Sequence, residues 1–339
     1  MAILLPGGAG FIGSHTAVEL LEANKEVVII DNFSNSNPQA LDAIRKITGK
    51  DFRFYNMDYA NKKELEAVFE ENNIEAVINF AGFKSVSESV EKPIEYYKNN
   101  ISGALVLLET MKGYNCKKLI FSSSASIYGK TKSVPIKEEC ETGKTTNPYA
   151  TTKLYIEQIL KDVYSSDNTW DICILRYFNP IGAHESGLIG ENPKGIPNNL
   201  MPCILKAATG EIQELSVYGN DYDTPDGTGV RDYIHVVDLA KGHLKALSKL
   251  EREAKGLFIY NLGTGEGYSV LDLINKFEQV TGQKINYKIK PRREGDLAIC
   301  YANPQKAKKE LGWEANKNLE DMCRDSWNYI IKQGRGTDE

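Results

Sequence analysis

Gly7-Gly8-Ala9-Gly10-Phe11-Ile12-Gly13 fits the spacing G-x-x-G-x-x-G between a strand-like run and a helical one. Glycines there let the backbone turn sharply and approach a pyrophosphate, and the helix that follows offers free N–H groups and its positive dipole end. With Gly7, Gly10, Phe11, Ile12 and Gly13 as its contacts, this is the pattern of a dinucleotide loop. Asp31 ends the second strand-like run, 18 residues beyond Gly13. A carboxylate at that place accepts from both adenosine ribose hydroxyls and repels a 2′-phosphate. The following Asn32-Phe33-Ser34-Asn35 holds no Arg or Lys, so NAD is expected rather than NADP. Asp58, beside Tyr59, ends a third run and can reach the adenine amino group. Phe80-Ala81-Gly82 closes a fourth, where small residues leave room for the middle of the cofactor.

Four tyrosines are followed four positions later by lysine: Tyr59/Lys63, Tyr114/Lys118, Tyr128/Lys132 and Tyr149/Lys153. On a helix that spacing puts both side chains on one face. The ammonium favours the phenolate, which can then take a proton from a sugar or alcohol hydroxyl. Open parallel sheets bind ligands beyond the carboxyl ends of their strands. Tyr114 and Lys118 precede a strand, Tyr128 and Lys132 straddle Gly129 in a turn, and Tyr59 lies at the adenine end. Tyr149 and Lys153 open a helix after Asn147-Pro148, and Ser124 ends the fifth strand-like run. Only that pair joins a base, a cation and a hydroxyl at the correct edge.

The elements that must carry these residues follow from periodicity. Strands are expected over 2–5, 26–31, 52–57, 76–80, 118–123 and 171–178, alternating with helices over 12–24, 41–48, 62–71, 93–112 and 148–164. Such alternation implies right-handed crossovers and an α/β fold, a Rossmann-type doubly wound parallel sheet. After Asn179 the rhythm breaks: 180–200 reads as a long structured loop. Helices over 198–208, 237–250, 270–279, 304–311 and 319–331 and strands over 215–218, 257–262 and 285–289 then suggest a smaller C-terminal α/β lobe. The expected division is 1–179 for the cofactor and 180–339 for the substrate, with about 231–262 returning to the first part.

The 339 residues carry 41 Lys and Arg against 46 Asp and Glu, a formal charge of −5. That balance argues against a broad nucleic-acid or anionic-membrane surface. No apolar run approaches the roughly 20 residues of a membrane span, and the N-terminus has no basic signal-peptide head. Cys116, Cys140, Cys173, Cys203, Cys300 and Cys323 form no C-x-x-C pair, which suits free thiols in a reducing cytoplasm. The four histidines form no H-E-x-x-H, so no metal is expected.

Taken together, these residues resemble the extended short-chain dehydrogenase/reductase family, and within it the branch that inverts C4 of UDP-hexoses. The resemblance spans nearly the whole chain. In the first half it rests on 7–15, Asp31-Asn32, Asp58, 80–84, 96–100 and 121–124. In the second it rests on Leu175-Arg176-Tyr177-Phe178-Asn179-Pro180, Gly195-Ile196-Pro197-Asn198-Asn199-Leu200-Met201-Pro202, 226–235 and Pro291-Arg292-Arg293-Glu294-Gly295-Asp296. It implies Tyr149 as base, Lys153 holding the nicotinamide ribose and tuning Tyr149, and Ser124 bonding the sugar hydroxyl. It implies Lys84, Asn99, Ser122, Tyr177 and Phe178 as further NAD contacts. The UDP-glucose or UDP-galactose would be held by Lys84, Asn179, Asn199, Leu200, Arg231, Arg293 and Asp296, with Ser216 and Tyr218 beside the uracil. Two Arg forks suit a diphosphate. It further implies a homodimer joined through helices 93–112 and 148–164. Three positions depart from the commoner pattern: Pro6 before the first glycine, Ala150 after the tyrosine, and Cys300 where a tyrosine or small residue gates the sugar. A small gate suggests that UDP-GlcNAc and UDP-GalNAc are also accepted. The alternatives are a sugar-nucleotide 4,6-dehydratase, which needs an Asp-Glu pair near Ser124 that is missing here, and a non-catalytic NAD sensor.

Overall fold

The computed structural model describes residues 2–335 apart from Lys132, Gly195, Ile196, Asn198, 253–255 and Glu294, with the Arg335 side chain also left out. Lys132 of the third Tyr/Lys pair, and Gly195, Ile196, Asn198 and Glu294 of the quoted stretches, thus lie outside the described residues. In chain order the first half forms β1 (Ala2–Pro6), α1 (Phe11–Glu22), β2 (Glu26–Asp31), α2 (Gln39–Thr48), β3 (Arg53–Asn56), α3 (Lys62–Glu71), β4 (Ile74–Asn79), α4 (Val86–Glu91), α5 (Pro93–Tyr97), α6 (Gly103–Gly113), β5 (Lys118–Ser124), α7 (Pro148–Ser166) and β6 (Asp171–Tyr177). The second half begins with β7 (Asn179–Ile181), α8 (Leu200–Ala208), β8 (Leu215–Tyr218), β9 (Val230–Arg231), β10 (Tyr233–His235), α9 (Val236–Arg252) and β11 (Leu257–Leu262). It ends with β12 (Tyr268–Ser269), α10 (Val270–Thr281), β13 (Tyr287–Lys290), β14 (Ile299–Cys300), α11 (Gln305–Leu311) and α12 (Leu319–Arg335).

Seven strands make one sheet in the order β3-β2-β1-β4-β5-β6-β11, every pairing parallel. The fold is the Rossmann-type α/β expected. Parallel strands must be covered on both faces, and side-chain alternation along β1 shows how. Ile3 and Leu5 point into a core with α1, α2, α9 and α11, while Ala2 and Leu4 point into one with α3, α6 and α7. Each fully buried Leu or Ile of these strands contributes roughly 1.5–3 kcal/mol. Strand order reverses between β1 and β4, and that switch point opens a crevice at their carboxyl ends. A third core gathers α8, α10, α12, β8 and β10 around Ile204, Phe277 and Met322.

Most expected elements lie within a few residues of those observed. The expected single helix over 93–112 is α5 and α6 joined by a π-helical turn at 98–102. Such a turn adds a residue to the helical repeat and so reaims the side chains around it. α4 was not expected, nor were β7, β9, β10, β12 and β14, which have only two or three residues each and show no alternation. The 180–200 loop contains β7 and an Ala183–Gly190 bridge. The return to the first part reaches beyond 262: Ala307 and Leu311 of α11, with Trp313, pack into the same core as α1 and α9.

Candidate active site

A cleft of about 920 Å³ follows the carboxyl ends of β1, β2, β3 and β4. Of the residues singled out from sequence, Gly7, Gly10, Phe11, Ile12, Gly13, Asp31, Asn32, Asp58, Tyr59, Phe80, Ala81, Lys84, Asn99 and Asn199 line it. Gly7 has φ +74, and a Cβ there would come within 2.8 Å of the Ala81 nitrogen. A Cβ on Gly13 would stand 2.5 Å from the Gly7 carbonyl. The turn therefore tolerates no side chain at either place. Gly10, the residue before α1, brings no capping side chain to the helix N-terminus. This cradle fits the pyrophosphate of a dinucleotide. The Asp31 carboxylate accepts from Ala9 N at 3.0 Å, Phe33 N at 2.9 Å and Ser36 Oγ at 2.6 Å, which ties the glycine loop to the 31–36 turn. Asn32 Nδ2 donates to Asp58 at 3.3 Å.

The π-helical turn carries Asn99 into the cleft. Tyr59 props it from beneath, donating to the Asn99 carbonyl at 3.0 Å and packing where any side chain on Gly103 would overlap its ring. Asn100, one residue on, is buried. Its amide takes Phe83 N at 2.7 Å and donates to Phe83 O at 3.1 Å and Thr152 Oγ1 at 3.0 Å. One side chain thus clamps the loop bearing Lys84 to the helix bearing Tyr149.

Ser122, Ser124, Tyr149, Lys153, Tyr177 and Phe178 do not line that cleft. They form a second group at the ends of β5 and β6. Asn147 caps α7 by accepting from Ala150 N at 2.9 Å, with Pro148 in the first turn. Burial pushes the Tyr149 phenol up, and the neighbouring Ser124 hydroxyl opposes the shift. Ser124 Oγ itself accepts from Ser126 N at 3.2 Å and Ser126 Oγ at 2.9 Å. Lys153 Nζ donates to the Ser122 carbonyl at 2.7 Å and sits 4.9 Å from the centre of the Phe121 ring. Burial lowers the Lys153 ammonium to about 8, against the pull of Glu157. The Tyr177 hydroxyl is held by Ser122 Oγ at 2.8 Å and by His243 Nε2. The His243 ring stands 5.0 Å from that of Phe80 and so joins this group to the cleft wall.

The other three Tyr/Lys pairs have different work. Tyr59 supports the π-helical turn. Tyr114 bonds Glu70 and Lys118 pairs with Glu75, both away from the cleft. Tyr128 is buried between Arg176 Nη1, which donates to it at 2.8 Å, and Asn261, which accepts from it at 2.7 Å.

A third group comes from the second half of the chain. In β8, Leu215 and Val217 face the core, so Ser216 and Tyr218 share the opposite face. The Arg293 guanidinium stands 4.7 Å from the Tyr218 ring centre and donates to Asp296 at 3.0 Å. Arg231 donates to the carbonyls of Val230 and Leu297 and lies 3.9 Å from Asp296. Cys300 is the strand partner of Arg231 and packs on the cluster that contains Phe178, Ala125 and Ile136. Burial pushes its thiol up to about 11. Asn179 is exposed at the start of β7, and Leu200 opens α8 against the third core.

Three residues escaped the sequence reading. Glu191 bridges Lys84 at 3.0 Å and Asn199 Nδ2 at 2.9 Å, one carboxylate between two expected ligand contacts. It sits in a Gly- and Pro-rich stretch that offered no periodicity. Asn100 stood in a quoted stretch without a role. His243 was tested only as a metal ligand.

A family model described as GDP-mannose 4,6 dehydratase matches residues 4–326. UDP-glucose 4-epimerase of Haemophilus influenzae is 57% identical over 336 residues, covering 99% of this chain and 99% of its own. That of Bacillus subtilis is 56% identical over 329 residues, covering 97% of this chain and 96% of its own. Among solved structures, UDP-glucose 4-epimerase of Bifidobacterium longum, in complex with NAD+ and UDP, has a TM-score of 0.96 at 56% identity, over 99% of this chain and 100% of that one.

Proposed function

The chain belongs to the UDP-glucose 4-epimerases of the extended short-chain dehydrogenase/reductase family, and we propose that Tyr149, Lys153 and Ser124 carry the inversion. It is an isomerase that uses NAD to epimerise C4 of UDP-hexoses, UDP-galactose to UDP-glucose, through a 4-keto sugar. The observation that carries the residue assignment is that Ser124 and the anchor of Lys153, Ser122, stand at the carboxyl end of β5, in the same sheet whose β1 end forms a glycine cradle that fits a dinucleotide.

Tyr149 takes the proton from the O4 hydroxyl while Ser124 holds that oxygen. Lys153 favours the phenolate by its charge. Bound NAD would supply the hydride acceptor for C4 and the donor for its return to the opposite face. Arg231 and Arg293 grip the diphosphate, with Asp296 on the uridine ribose and Tyr218 against the base. The keto sugar can therefore turn while its UDP stays fixed, and Tyr149 returns the proton. The Gly7–Gly13 loop, Asp31, Asn32 and Asp58 hold the adenosine diphosphate half of the cofactor.

The dehydratase reading requires a carboxylic acid beside Ser124. The carboxylate bonded to the 122–126 segment is Glu157, which Arg176 neutralises. Incubation with UDP-galactose and no added reductant decides the matter. UDP-glucose is expected, and a 4-keto-6-deoxy product or no turnover would overturn the reading.

Cys300 is smaller than a tyrosine at the gate beside C2 of the sugar, and on that ground the chain also interconverts UDP-GlcNAc and UDP-GalNAc. C300Y is expected to suppress turnover of the acetylated pair and spare UDP-galactose. Equal loss on both pairs in a two-substrate assay would refute the gate. We also place the protein in the cytoplasm, which suits its six free thiols.

The chain forms a homodimer through α4, α5, α6 and α7. Ile94 is 80% exposed and Val90 62%, with Val86, Leu105 and Tyr155 exposed nearby. A contiguous apolar face of this kind marks an interaction surface. Ile94→Glu is expected to halve the mass measured by light scattering, and an unchanged mass counts against this interface.

A further inference from the structure

His243 is a buried titratable group that the mechanism above leaves without a task. It projects from α9 between two strands' worth of site residues: its ring faces Phe80 of the cleft wall at 5.0 Å and Tyr177 of β6 at 5.3 Å. Both ring nitrogens are engaged. Nδ1 stands 2.8 Å from the Leu239 carbonyl, and Nε2 meets the Tyr177 hydroxyl. A carbonyl oxygen can only accept, so Nδ1 carries the proton. Burial holds the ring neutral, with its pKa lowered to about 4. Nε2 is then a bare acceptor facing the Tyr177 hydroxyl, which also donates to Ser122 Oγ at 2.8 Å, so one phenolic proton lies between His243 and Ser122. Ser122 is thus held twice, by its hydroxyl on Tyr177 and by its carbonyl on the Lys153 ammonium.

We infer that His243 is a positioning residue for the epimerisation, acting through Tyr177 and Ser122 to fix where Lys153 places its charge beside Tyr149. This inference rests on the assignment of Tyr149 and Lys153 proposed above. The chain of contacts runs Leu239 carbonyl, His243, Tyr177, Ser122, Lys153. Without Nε2 the Tyr177 hydroxyl keeps only its bond to Ser122 and is no longer held from its other side, so the Ser122 peptide that anchors Lys153 rests on a partner free to shift. Small displacements of a group that acts on the reacting atoms lower the rate more than they lower affinity. UDP, held far from His243 by Arg231 and Arg293, should bind as before.

The test is steady-state conversion of UDP-galactose to UDP-glucose by the NAD-loaded protein and its variants. H243L, which removes the acceptor, is expected to lower kcat about tenfold with KM changed less than about twofold. H243Q places an amide oxygen near the position of Nε2, and it is expected to restore kcat to within about threefold of the parent. Y177F breaks the same chain at its centre. It should match H243L, and the double variant should be no slower than either single one. The inference is overturned if H243Q is as slow as H243L, if KM rises in place of a fall in kcat, or if the His243 and Tyr177 effects multiply. Should H243L not fold, parental kcat in Y177F overturns it equally. Parental turnover measured alongside tests the underlying assignment of function separately.

Discussion

Y149F is expected to epimerise UDP-galactose about 10²–10⁴ times more slowly than the parent chain, the range a positioned general base supplies, while still binding UDP and NAD. The phenyl ring keeps the packing at the start of α7, where Asn147 and Pro148 fix the first turn. It loses the oxygen that would take the proton of the reacting hydroxyl. In the proposed site UDP binding rests on Arg231, Arg293 and Tyr218, whose hydrogen bonds and ring contacts are with Val230, Leu297, Asp296 and one another. A kinetic defect confined to kcat, with UDP affinity by calorimetry unchanged, is the expected signature. Activity close to the parent's would remove Tyr149 from the role of base.

The second large effect concerns stability. The Glu157 and Arg176 side chains are 1% and 2% exposed and pair at 2.7 Å, with a second bond from Arg176 Nε at 3.0 Å. Ser123 donates a third bond to the same carboxylate at 2.6 Å. R176M keeps most of the apolar stem and leaves that carboxylate buried without its cation. Removing one member of a buried pair costs about 3–5 kcal/mol, and replacing both by apolar groups costs far less. R176M should therefore lower the urea midpoint sharply, and the E157L/R176M double variant should recover much of the loss. A midpoint within experimental error of the parent's for R176M would mean that the pair contributes nothing. Glu157 stands one helical turn from Lys153, so its unneutralised charge would also draw the Lys153 pKa upward.

The central sheet was legible because its inner strands are nearly continuous apolar runs. Val27–Ile30 and Leu119–Phe121 are apolar on both faces, as buried parallel strands must be. The glycine loop was legible because strand, turn and helix agree with the same function. Tyr149 was chosen from four pairs because its helix opens beyond Ser124 at the carboxyl end of a strand, an argument of topology that composition could not supply. What escaped has equally physical reasons. β9, β12 and β14 are two residues long, too short for any period. The turn at 98–102 continues a helical pattern, and an i→i+5 bond changes no residue type. The Glu157–Arg176 pair joins residues whose partnership depends on the crossing of α7 over β6. His243 reads as one more residue on the apolar side of α9. Glu191 is bound to Lys84 across a distance of 107 residues in the chain.

The position of β11 bears on how the molecule is made. Its hydrogen-bonding partner β6 ends at Tyr177, yet β11 is not complete until Leu262, and the helices that cover that face, α9 and α11, end at Arg252 and Leu311. On a ribosome the whole glycine loop and the base emerge long before the edge of β6 can be paired. During that interval an open parallel strand edge and the bare flank of α1 face solvent, the features that invite mispairing between nascent chains. Synthesis therefore cannot deliver a finished cofactor half first and a substrate half second: the sheet is complete only once Leu262 is out, and its cover only once Leu311 has followed.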